Sequence, residues 1–171
     1  AYHVSGTVSV TRSDVQALKG VCMRAERDNK LVLALDGASN IGIVQDASYC
    51  VKTWPVDTRI KVGGEGQQHY VACKLMGILE FYTRVQGKWA AHRLTVRVVP
   101  GFGCNILPEC FYLRKGCSVN KTGTTATVRT PDNKPLLTAH ALQNDKSWLF
   151  YAEVHLQKPA ATTAAQLRED Y

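Results

Sequence analysis

The chain has 171 residues, 45% hydrophobic and 20% charged, which suits one globular core and argues against disorder. Its 21 Lys and Arg outnumber its 14 Asp and Glu, giving a net charge of +7, but the basic residues are scattered and form no long run. Without such a run or interleaved aromatics, nucleic acid is a disfavoured partner and a solvated basic surface the simpler reading. No apolar stretch reaches the roughly 20 residues of a membrane-spanning helix, and the N-terminal stretch lacks a signal-peptide core, so an intracellular protein is expected.

Most of the chain reads as strands. Short apolar or alternating runs rich in Val, Thr, Ile and Tyr predict strands at 3–10, 15–24, 31–35, 41–45, 49–53, 58–62, 69–82 and 91–99, then at 117–120, 124–130, 135–141 and 147–156. Leu94-Thr95-Val96-Arg97-Val98 shows the period-two pattern of a half-buried strand. Gly63-Gly64-Glu65-Gly66, Gln86-Gly87-Lys88 and Lys121-Thr122-Gly123 are turn chemistry. One short helix is predicted over 108–115, with Pro108 and Glu109 in its first turn, Arg114 and Lys115 in its last, and Gly116 after it. Residues 158–171, rich in Ala and Thr, read as a flexible tail behind a single domain at 1–157. Strand followed by turn at this density implies an all-β closed barrel or sandwich.

The six cysteines form no C-x-x-C pair, and most sit among apolar neighbours, which predicts reduced, buried thiols. The five histidines make no metal-ligand pattern, so no metal or cofactor is implied. Trp54 and Trp148 read as core or interface anchors. The segment with candidate chemistry is Leu33-Ala34-Leu35-Asp36-Gly37-Ala38-Ser39-Asn40, an apolar strand breaking into an acid and small residues. An isolated Asp-Gly is more often a turn than a catalytic acid.

This segment nevertheless resembles the catalytic turn of retropepsin-like aspartic proteases, in which an apolar strand delivers Asp-Thr/Ser-Gly-Ala. Later features follow the order of the copia-type retrotransposon protease. Ile60-Lys61-Val62-Gly63-Gly64-Glu65-Gly66 resembles its flap hairpin, and Val96-Arg97-Val98-Val99-Pro100-Gly101 resembles its "L-Y-V-P-G" strand. Asn105-Ile106-Leu107-Pro108, the short helix and Gly116 resemble "N-L-L-S…L…G", and Ser147-Trp148-Leu149-Phe150-Tyr151 resembles the closing strand. The similarity covers roughly residues 30–156.

The resemblance implies a retropepsin-like closed barrel with a flap hairpin and one short helix, and a homodimer, because one domain supplies half of a two-fold cleft. It also implies Asp36 as the dyad acid. Gly37, Ala38, Ser39, Gly63, Gly64, Glu65 and Gly66 would contact an extended peptide, and the location would be cytoplasmic or a virus-like particle. Two alignments of the turn remain open. In one, Asp36 is the acid and the following Thr/Ser is deleted. In the other, the turn keeps its length, Leu35 replaces the acid, and the domain is an inactive peptide-binding or assembly module. Leu35 continues the apolar face of Leu31 and Leu33, which favours weak or absent cleavage.

Overall fold

The computed structural model describes residues 4–63, 69–142, 149–159 and 167–168. In chain order the elements are β1 (Val4–Val8), α1 (Arg12–Arg27), β2 (Lys30–Asp36), β3 (Gly42–Val44), β4 (Cys50–Val62), β5 (His69–Val85), β6 (Lys88–Val98) and β7 (Asn105–Pro108). They continue as α2 (Glu109–Leu113), β8 (Ser118–Thr122), β9 (Thr125–Arg129), β10 (Pro135–Ala141), β11 (Phe150–His155) and β12 (Leu167–Arg168).

Strands β5, β6, β3, β7, β2 and β11 are hydrogen-bonded in that order, and β11 returns to β5 through His155 and Tyr82, closing a six-stranded barrel. The all-β closed barrel is thus the architecture, with α2 at the predicted short helix. Outside the barrel, β4 pairs antiparallel with β5 and carries β1 in parallel on its other edge. Strands β10, β9 and β8 form a ribbon continuing from β11. The two residues of β12 pair in parallel with Trp89 and Ala90 of β6.

Strand β2 explains why its sequence is almost wholly apolar, since both of its faces are covered. Leu31, Leu33 and Leu35 pack in one core with Phe81, Val96, Tyr112 and Leu137. Val32 and Ala34 point the other way, into a second core with Ile43, Ile106 and the Leu18, Val21 and Ala25 stripe of α1. Each fully buried Leu side chain contributes about 1.5–3 kcal/mol by transfer from water.

The strand predicted at 15–24 is wrong; those residues belong to α1. Thr11 and Asp14 form a reciprocal capping box, each side chain bonding the other's backbone N–H. Burial at 18, 21 and 25 follows a helical rather than an alternating spacing. The strands predicted at 49–53 and 58–62 are one element, β4, with a register irregularity between Pro55 and Thr58 where the proline cannot donate to the ladder. Strand β7 was not anticipated; its four residues are all buried and so show no alternation.

A polar chain ties α2 to the barrel. The Thr83 hydroxyl donates to the Leu136 carbonyl (2.8 Å) and so accepts from His92 Nε2–H (2.7 Å). His92 Nδ1 is then the acceptor for the Tyr112 hydroxyl, at 2.8 Å. The imidazole is 1% exposed and stacks on Phe81 with ring centroids 4.4 Å apart. Burial, with a smaller contribution from Lys115, holds its pKa down at about 3.

Candidate functional site

Asp36 ends β2, beside Pro108 at the end of the parallel strand β7. Leu35 remains in the core, 2% exposed, while Asp36 turns toward the segment after β1. Its Oδ1 accepts from the Ser9 hydroxyl (2.8 Å) and the Ala38 backbone N–H (3.0 Å). Its Oδ2 accepts from the Ser9 backbone N–H (3.2 Å) and from the Ser39 hydroxyl. A carboxylate offers about four lone-pair sites, and four donors from the same chain fill them.

Asn40 extends the same device. Its Oδ1 accepts from the Thr7 N–H (2.8 Å), and its own N–H donates to the Thr7 carbonyl (3.2 Å). Thr7 and Ser9 present their N–H groups along one edge, and the opposite edge of β1 pairs with β4. The Asp36–Asn40 turn therefore stands in for a missing strand, satisfying backbone donors that an open edge would leave unpaired.

The apex of the turn is tight. A Cβ on Gly37 would lie 2.2 Å from Glu109 Oε2, so only glycine fits while Glu109 keeps its place. The Glu109 side chain is 10% exposed, with Lys121 Nζ 2.8 Å from its Oε1 but off the hydrogen-bonding direction. Lys121 also lies over the Phe150 ring, 5.4 Å from its centroid. A cavity of about 360 Å³ opens here, lined by Leu35, Asp36 and Gly37 together with Lys121, Gly123 and Phe150. Gly37 and Ala38 are exposed, whereas Ser39 is buried and its carbonyl accepts from the Cys110 thiol.

The predicted flap corresponds to the β4–β5 hairpin, whose last described pair is Val62 with His69. Gly63 donates its N–H to the Val8 carbonyl (2.9 Å), fixing the hairpin base to β1. Gly64, Glu65 and Gly66 lie outside the described residues, as does Trp148; Trp54 is half-buried on β4. Asp36, Gly37, Ala38 and Ser39 are therefore one cluster, and Gly63 lies at a separate groove of about 630 Å³. That groove runs between the start of α1, the hairpin base and the loop Val99–Phe102.

Sequence reading did not single out Ser9, Asn40, Glu109 or Lys121 as site residues. Only Glu109 carried a signal, as an acid in a helix's first turn, and that signal pointed to capping rather than to Gly37.

Among the described residues no cluster of His, Cys, Asp and Glu could hold a metal, and no helix is long and apolar enough to cross a membrane. Compared with known proteins, the sequence matches no family model and no curated protein.

Proposed function

We propose that the chain is a retropepsin-like domain of the copia retrotransposon type, used as a homodimeric peptide-binding or assembly module, with cleavage weak or absent. The observation that carries this reading is the saturation of Asp36. Dyad chemistry needs two carboxylates that share a proton and hold a water. A carboxylate whose lone pairs are filled by Ser9, Ala38 and Ser39 has no site left for that water. Leu35, the other candidate for the acid position, carries no ionisable group and packs in the core.

The binding half of the reading is supported by the β4–β5 hairpin beside a groove large enough for a short peptide segment. Exposure of Gly37 and Ala38 leaves the turn apex accessible to a second copy. The test pairs two assays on the same preparation. A fluorogenic peptide library incubated across acidic to neutral pH should show no cleavage sensitive to Asp36→Asn. Sedimentation at micromolar concentration should give a dimer rather than the 18.9 kDa monomer. Acid-dependent turnover that Asp36→Asn abolishes, with the fold unchanged, favours the active-protease alternative.

A further inference from the structure

We infer that the groove between α1 and the β4–β5 hairpin selects a peptide segment carrying a carboxylate flanked by apolar side chains. The inference rests on the peptide-binding reading and adds its specificity. The walls are apolar: Val62 and Val71 from the hairpin, Val99 and Phe102 from the loop before β7. Among the described residues that line it, the ionisable side chains are Arg12 and His69, both exposed at the rim, and none is a carboxylate. Asp14, the nearest acid in α1, turns its carboxylate to the Thr11 N–H at 3.0 Å. A single acidic residue placed among hydrophobic ones would meet the Arg12 guanidinium at the rim and apolar walls below. The net charge of +7 favours its approach.

The walls are held before any ligand arrives, which lowers the ordering cost of binding. Gly63 is bonded to Val8, Val99 donates its N–H to the Val44 carbonyl (2.9 Å), and Phe102 donates to the Val99 carbonyl (3.2 Å). Gly103 locks the loop onto the helix. Its φ is +106°, and a Cβ there would sit 2.6 Å from Val15 Cγ1. A nucleic acid fits this groove less well, because a phosphate backbone is held by many cations rather than by one guanidinium between apolar walls.

Fluorescence anisotropy tests the inference with three probes: a short peptide with Glu between Leu and Val residues, its Gln-for-Glu isostere, and a single-stranded oligonucleotide. Two variants accompany the unmodified chain: Arg12→Glu at the groove, and Arg27→Glu at the far end of the same helix. Glu is favourable in a first helical turn, so Arg12→Glu retains the fold, which circular dichroism checks. The acidic peptide should bind at least tenfold more tightly than its isostere, and Arg12→Glu but not Arg27→Glu should erase that difference. Equal binding of the two peptides overturns the acidic preference and leaves the peptide-binding reading standing. Failure of both peptides to bind overturns both. Tighter binding of the oligonucleotide than of either peptide overturns the inference in favour of a nucleic-acid surface.

Discussion

Lowering the pH should destabilise this protein through His92, and the size of the effect follows from its burial. An unfolded histidine titrates at about 6.5, whereas in the fold burial among Phe81, Thr83 and Tyr112 keeps His92 neutral down to about 3. Between those values the unfolded chain binds a proton that the folded chain does not, so stability falls as pH falls. Each pH unit costs about 1.4 kcal/mol, so passing from pH 7 to pH 4 removes about 3 kcal/mol. That is a large share of the stability of a domain this size. Carboxylates titrate in the same range, so the readout is a difference between proteins. The double variant His92→Phe with Tyr112→Phe removes both polar partners with little change in shape; Thr83 keeps its bond to Leu136. Urea unfolding at several pH values should give the variant a slope between pH 6 and 4 shallower by nearly one proton. Identical slopes, or a His92 ring that titrates near 6.5 by NMR in the folded state, would refute the reasoning. The window also covers the acidic range in which a carboxylate dyad would operate, so the fold is least stable where cleavage would be sought.

Asp36→Ala should lower stability by about 3–5 kcal/mol, because it leaves the Ser9 and Ala38 N–H groups without their acceptor; thermal unfolding measures this. Gly37→Ala should cost about 1–3 kcal/mol and push the Glu109 carboxylate away from Lys121, visible as a changed Lys121 amine signal by NMR. Gly103→Ala should destabilise by a similar amount, since its backbone is left-handed and Val15 fills the space a side chain needs. Thiol labelling of the native protein should modify Cys22, Cys50 and Cys110 before Cys73, Cys104 and Cys117, with Cys104, pushed up to about 12 by burial, among the last.

The barrel was legible because β5, β6 and β11, three of its six strands, are half-buried, and half-burial writes alternation into the sequence; β6, with Leu94, Val96 and Val98 inward, is the clearest case. Helix α1 was hidden by Val15, Val21 and the aliphatic residues near them, whose strand preference outweighed a capping box only four residues long. Strand β7 was hidden for the opposite reason, being buried on every side. Asp36 was conspicuous at the end of β2, but its meaning depends on Ser9, which lies before a 16-residue helix and carries no local signature. His92 is likewise an ordinary member of an alternating strand until Phe81, Thr83 and Tyr112 are brought around it.

The central claim is that Asp36 holds β1 in place instead of shuttling protons. It is tested most directly by measuring stability and peptide cleavage side by side for the unmodified chain and Asp36→Asn, from about pH 4 to pH 7. The amide keeps the size of the carboxylate but gives up one acceptor oxygen, so two of the four donors lose their partner. A fall in unfolding free energy of about 2 kcal/mol or more, with no cleavage by either protein, is the predicted result. Unchanged stability together with acid-dependent cleavage lost in Asp36→Asn would contradict it.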